Sequence, residues 1–166
     1  MLFGKKKEDF TIIVGCGRLG ANLANTLSRE GGSVLIIDKD KEAFRKLSPM
    51  FDGIALTGDA TLTATLHDAQ IEKAAALVSV TNYDNTNILV AQIAKEEFNI
   101  PHVMARLYDP ERECVYREFN IDTICPSVLS LEEIHKLLNI SEEGTHELPD
   151  QIGGTHELPD QIGGNL

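Results

Sequence analysis

Short apolar runs alternate with helically spaced segments from residue 10 to about residue 139. The runs predict strands near 10–14, 33–37, 53–57, 76–80, 102–106 and 122–125. The intervening segments predict helices near 18–30, 40–48, 61–68, 84–98, 110–119 and 131–139. Regular βα repetition predicts an α/β domain. Ile12-Ile13-Val14 and Leu77-Val78-Ser79-Val80 do not alternate with polar residues, so both faces of these strands are expected to be buried, as in a parallel sheet covered by helices. Right-handed crossovers then favour a doubly wound sheet of six strands in the order 3-2-1-4-5-6.

Some helix ends carry their own signals. Asp109-Pro110-Glu111 pairs a capping carboxylate with a proline at the first helical position, and Ser130-Leu131-Glu132-Glu133 has the spacing of a capping box. In the last helix, Leu131, Ile134, Leu137 and Leu138 form one apolar stripe. It is expected to cover the sheet by default, or else a neighbouring subunit.

The first strand leads into Gly15-Cys16-Gly17-Arg18-Leu19-Gly20, and the second, Ser33-Val34-Leu35-Ile36-Ile37, ends in Asp38. This is the arrangement of a Rossmann-like dinucleotide-binding unit. Gly15 permits the sharp turn, Gly17 lets the backbone approach a diphosphate, and Gly20 lets the helix sit close to the sheet. The helix N-terminus supplies unpaired N–H groups and a positive dipole end to an anion. Asp38 suits a free ribose diol and repels a 2′-phosphate, so ATP, ADP, AMP or NAD(H) fits better than NADP. An ordinary strand-to-helix turn, with Asp38 a bystander at a strand end, is the plainer alternative.

Ligands of open α/β sheets lie beyond the carboxyl ends of the strands. Those ends bring together the glycine turn with Arg18 and Leu19, then Asp38 with Lys39, Gly58-Asp59-Ala60-Thr61, Thr81-Asn82, and Arg106. Asp59 serves equally well as an adenosine contact or as the cap of a helix starting near Thr61. Thr81 and Asn82 can hydrogen-bond phosphate or ribose, and Asp84 is expected to cap the next helix. Arg18 and Arg106 offer two guanidiniums for an additional phosphate group, unless each is taken up by a nearby acid. No catalytic constellation is visible: there is no Tyr followed four residues later by Lys, no GxSxG and no Walker A loop, and His67, His102 and His135 lack metal spacing.

Charge and length narrow the function further. The chain of 166 residues is about one domain, short for a nucleotide-binding unit joined to a substrate domain. A formal charge of −11 argues against nucleic acid as a partner. More than half of that charge lies in the last 26 residues, which hold six acids and neither Lys nor Arg. Within them, residues 145–154 and 155–164 are the same decapeptide, Thr-His-Glu-Leu-Pro-Asp-Gln-Ile-Gly-Gly, a recent duplication or an added segment. Two copies with Pro and Gly-Gly read as an acidic flexible tail over 141–166, with residues 1–8 as a second flexible end. Cys16, Cys114 and Cys125 lack CxxC spacing, so neither a disulfide framework nor a zinc site is expected, and a reducing compartment suits them. No run approaches the ~18 apolar residues of a membrane span.

With these residues assembled, residues 9–140 resemble the RCK, or KTN, nucleotide-binding domain of Trk and Ktr potassium-uptake regulators. The resemblance rests on Gly15-Cys16-Gly17-Arg18-Leu19-Gly20, Asp38, Gly58-Asp59-Ala60-Thr61, Val80-Thr81-Asn82-Tyr83-Asp84-Asn85-Thr86-Asn87, and Met104-Ala105-Arg106 before an Asp-Pro turn. It implies a cytosolic regulatory subunit, peripheral to the inner face of the plasma membrane. Such a subunit binds ATP, ADP or NAD(H) and gates a potassium-translocating membrane protein as a ring of dimers. It also implies Gly15, Gly17, Arg18 and Gly20 at phosphates, Asp38 at ribose, and Asp59 and Ala60 near adenosine. Thr81 then lies at the phosphate or ribose side, Arg106 points toward a terminal phosphate within the subunit or across the dimer, and the last helix is a subunit crossover. Family members usually continue into a smaller C-terminal ligand-binding lobe, whereas here the decapeptide repeat follows. Part of the family uses an acid near the last strand to hold a cation, and Cys125-Pro126-Ser127 offers none, so no metal is expected there. The rival readings are a small NAD-dependent oxidoreductase and an NADH-binding redox sensor.

Overall fold

The computed structural model describes residues 10–138. The expectations for residues 1–8 and 141–166 lie outside the described residues. Six strands form a single parallel sheet: β1 (Thr11–Val14), β2 (Val34–Asp38), β3 (Ile54–Thr57), β4 (Ala76–Ser79), β5 (His102–Arg106) and β6 (Asp122–Ile124). Their order is β3-β2-β1-β4-β5-β6, as the glycine turn and alternating elements predict. β1 is central, with Val14 in register with Ile37 on one side and Ser79 on the other.

The pleat of β1 divides the core. Ile12 and Val14 join one cluster with Leu35, Ile37, Leu77 and Val90, while Ile13 joins the opposite cluster with Ile36, Ala21 and Ala24. Helix α1 (Arg18–Arg29) covers the second face. Helices α2 (Thr63–Asp68), α3 (Asp84–Gln92) and α4 (Glu113–Glu118) bury Leu66, Val90 and Tyr116 against the first. Because helices cover both faces, β1 is unbroken apolar over residues 12–14 and β2 over residues 34–37.

Several boundaries differ from expectation. The segment expected as helix 40–48 is a 3-10 helix, Lys41–Lys46, capped by Asp40, whose carboxylate accepts the Glu42 N–H at 2.9 Å. The expected helix 84–98 ends as α-helix at Gln92 and finishes with a π-helical turn, Ile93–Glu97. Pro110 does open a helical turn capped by Asp109, which is 3-10 over Pro110–Arg112 before α4 begins.

The last helix, α5 (Pro126–Leu137), starts five residues earlier than the capping-box spacing suggested. Proline at the first helical position is pre-set for helix and needs no N–H partner, so the chain turns helical there. Ser130 lies inside α5 and its hydroxyl donates to the Pro126 carbonyl at 2.7 Å, so it caps nothing. No residue of α5 is buried. Leu131, Ile134, Leu137 and Leu138 are each about half exposed or more, so the stripe does not cover this sheet.

Candidate functional site

A cavity of about 340 Å³ opens at the carboxyl ends of the strands, where β1 and β4 lie side by side and the strand order reverses. Gly15 makes the turn after β1 with φ +102, and an added Cβ there would stand 2.9 Å from the Thr81 amide nitrogen. Gly20 brings α1 onto that turn so closely that a Cβ would lie 1.9 Å from the Gly15 carbonyl oxygen. Gly17 differs, because a Cβ on it would meet no atom within 4 Å. It borders the cavity as the N-cap of α1, with no side chain capping the helix and no acid in its first turn. The unpaired N–H groups and dipole of that end are therefore available to an anion.

Asp38, at the end of β2, is bound into the same turn. One carboxylate oxygen accepts the Cys16 N–H at 2.6 Å and the other accepts the Asp40 N–H at 2.9 Å. Each oxygen keeps a further lone pair for a ligand hydroxyl. Lys39 pairs with Asp59 at 3.0 Å across the cavity wall, and Gly58 and Ala60 complete that side. Asp59 does not cap a helix at Thr61, since α2 begins at Thr63 behind Leu62. Instead its carboxylate takes both the Thr61 N–H and hydroxyl, and these bonds, helped by Lys39, hold its pKa below the usual range.

On the other side of the switch point, Thr81 and Asn82 line the cavity together with Tyr83 and Thr86. Asp84 does not cap α3. Its carboxylate reaches across to accept the Tyr108 N–H at 2.9 Å and the Asp109 N–H at 3.2 Å, because the β5 loop packs against the first turn of α3. Buried Asn87 fills the space between Thr81 and the end of β5.

Gly15, Gly17, Asp38, Lys39, Gly58, Asp59, Ala60, Thr81 and Asn82 thus border one cavity, whereas Arg18, Leu19, Gly20 and Arg106 do not. Arg18 and Leu19 begin α1 facing solvent. Arg106 stacks its guanidinium 4.2 Å above the Tyr108 ring, and its buried Nε has no hydrogen-bond partner. Neither arginine forms an ion pair with a described residue.

Sequence reasoning missed Cys16, Asp40, Lys46, Tyr83 and Thr86 as lining residues. Cys16 was findable, lying between the two glycines. Its thiol donates to the Ala43 carbonyl at 3.4 Å, and burial, with Asp38 nearby, pushes its pKa up despite Lys46, so it stays a neutral thiol. Among the described residues no group of three His, Cys, Asp or Glu side chains is placed to hold a metal, and no helix is long and apolar enough to cross a membrane. An open helix N-terminus, a carboxylate with free lone pairs and an apolar-walled cleft together match a phosphate, a ribose diol and a base.

The TrkA-N domain family model matches residues 11–126. Over 113 residues the chain is 42% identical to the Trk system potassium uptake protein TrkA of Streptomyces coelicolor, covering 68% of this chain and 51% of that protein. It is 33% identical over 134 residues to the protein of the same name from Vibrio alginolyticus, covering 76% and 29%. The chain therefore spans about half the length of the first relative and less of the second. Among solved structures, the GsuK channel bound to NAD matches with a TM-score of 0.68 at 26% identity, covering 79% of this chain and 23% of that one. GsuK bound to ADP matches at 0.67 and 26%, covering 80% and 35%. By this match over most of its length, the chain belongs to the TrkA-N domain family.

Proposed function

We propose that this chain is a nucleotide-binding regulatory domain that gates a potassium-transporting membrane protein through a ligand-dependent change of shape. The observation that carries the reading is the Asp38 carboxylate, tied to the Cys16 amide and bordering a cavity that opens on the uncapped start of α1. Relatives named as potassium uptake proteins, and a channel solved with NAD and with ADP, support it. The phosphates lie at Gly15, Gly17 and the first turn of α1, which includes Arg18, Leu19 and Gly20. Ribose hydroxyls lie at Asp38, the base lies beside Lys39, Gly58, Asp59 and Ala60, and Thr81 and Asn82 close the phosphate side.

Binding energy is used here for conformation. A ligand shifts two assembly shapes only by its difference in affinity for them, typically about 1–3 kcal/mol. One guanidinium–phosphate contact is of that size. Arg106 stands outside its own cavity and forms no ion pair with a described residue, which suits a terminal phosphate presented by a neighbouring subunit. The exposed stripe of α5 suits the crossover that brings such a subunit alongside. The assembly would sit on the cytosolic side of its membrane partner, as dimers within a ring.

Calorimetric titration of nucleotide-free protein with ATP, ADP, NAD⁺ and NADH, with turnover followed in the same samples, tests the reading. Binding without turnover and unequal ATP and ADP affinities are expected, and Arg106→Ala should equalise the two. An Arg106→Ala protein that keeps the wild-type preference rules out the phosphate sensor. The NAD-bound form of GsuK favours a second reading, a redox sensor in the same cavity, which requires NADH and NAD⁺ to bind unequally. Hydride transfer to an added carbonyl substrate would instead establish an oxidoreductase.

A further inference from the structure

Asn87 is fully buried and its side chain makes five hydrogen bonds. Its Oδ1 accepts the Ser79 hydroxyl at 3.1 Å, the Thr81 N–H at 2.9 Å and the Thr81 hydroxyl at 2.7 Å. Its Nδ2 donates to the Thr81 carbonyl at 3.1 Å and to the Arg106 carbonyl at 3.0 Å. One side chain thus holds both the loop that packs on Gly15 and the backbone of Arg106, whose guanidinium forms no ion pair with a described residue.

One turn earlier on α3, Asp84 accepts the N–H groups of Tyr108 and Asp109, two and three residues beyond Arg106. Tyr108 also supports the Arg106 guanidinium from below and donates its hydroxyl to Asn82, a cavity residue, at 3.2 Å. The backbone at Arg106 therefore cannot move relative to Thr81 without breaking bonds to buried Asn87. Unsatisfied buried amide groups are costly, so the two ends behave as one body.

We propose that Asn87 is a positioning residue that couples the cavity at Thr81 to Arg106, so that discrimination between nucleoside tri- and diphosphates depends on it although it touches neither ligand. This rests on the phosphate-sensing reading of Arg106. In that scheme a ligand seated against the glycine turn sets the Thr81 loop, and Asn87 transmits its position to the strand end that carries Arg106.

The test is a double-mutant cycle on the full chain, with ATP and ADP affinities measured for wild type, Asn87→Ala, Arg106→Ala and the double variant. Asn87→Ala should remove the ATP-over-ADP preference by about fivefold or more, and the double variant should lose no more than Arg106→Ala alone. Ser79→Ala removes another bond to the same oxygen without touching the loop or Arg106. It should lower the melting temperature and leave the preference unchanged. An Asn87→Ala protein that weakens both ligands equally has lost only stability, and the coupling is then wrong. Wild type without any ATP-over-ADP preference sinks the sensor reading and this inference with it, before any substitution is made. Should Asn87→Ala not fold, the side-chain amide resonances of Asn87 in wild type decide: they should shift more with ATP than with ADP, and equal shifts overturn the proposal.

Discussion

The carboxylate of Asp38 accepts the amide hydrogen of Cys16 at 2.6 Å, joining the end of β2 to the glycine turn after β1. The same side chain therefore shapes the turn and borders the cavity. Asp38→Ala should lower stability by about 1–3 kcal/mol in urea unfolding, as expected for loss of a charge-assisted bond that leaves an amide unpaired. It should also weaken every ribose-containing ligand at least about tenfold by calorimetry. Wild-type affinity in this variant would remove Asp38 from the site.

Substitutions at Gly17 and Gly20 test ligand binding and folding separately. Gly20→Ala forces a Cβ into the Gly15 carbonyl, so a loss of about 2 kcal/mol or more is expected in thermal or urea unfolding. Gly17→Ala meets no protein atom, so its stability should stay within about 1 kcal/mol of wild type while nucleotide affinity falls. If Gly17→Ala binds ATP and NADH as wild type does, no phosphate lies against that turn.

Tyr116 predicts an alkaline limit. Its ring is buried, its hydroxyl donates to the Asp84 carbonyl at 3.0 Å, and burial with the nearby Asp84 charge pushes its pKa up to about 12. The neutral phenol is favoured in the folded state. Its stabilisation is complete below the unfolded pKa of about 10 and is lost as pH rises from there toward 12, by up to about 1.4 kcal/mol per pH unit. Tyr116→Phe should flatten stability over that interval and cost about 1 kcal/mol at neutral pH.

Asp59 predicts the opposite limit. Its depressed pKa comes first from the Thr61 hydroxyl and then from Lys39, so its contribution is present above about pH 4 and lost as pH falls through its folded value. Asp59→Asn should flatten the acid side of the stability profile. An unchanged acid limb would mean that these bonds are replaced by water at no cost.

The apolar stripe of α5 is a surface in the isolated chain. Ile134→Glu with Leu137→Glu should leave the melting temperature nearly unchanged, because neither side chain is buried, and should shift sedimentation toward monomer. A monomeric wild type, or a double variant that associates equally well, would dismiss α5 as a subunit contact.

Strand order and the glycine turn were legible because they depend on local signals: unbroken apolar runs, glycine spacing and a carboxylate at a strand end. The last helix was misread because Ser130 to Glu133 imitates a cap while Pro126, five residues earlier, already sets the helical backbone. Asp84 was misjudged for a related reason, and of the two readings open for Asp59 the helix cap fails in the same way. Both stand beside helix starts, yet their carboxylates bind elsewhere, Asp84 to the β5 loop and Asp59 to Thr61 and Lys39.

By itself the sequence determined a doubly wound domain with a glycine turn and Asp38 at neighbouring strand ends, because strand periodicity and turn chemistry act over a few residues. Only the tertiary structure decided which polar side chains meet. Asn87 became the link between Thr81 and Arg106, Arg106 was left outside its own cavity, and α5 was left without a partner on the sheet. Those outcomes depend on how α3 packs against β4 and β5 and on where β6 ends, contacts between segments far apart in the chain that no local pattern encodes.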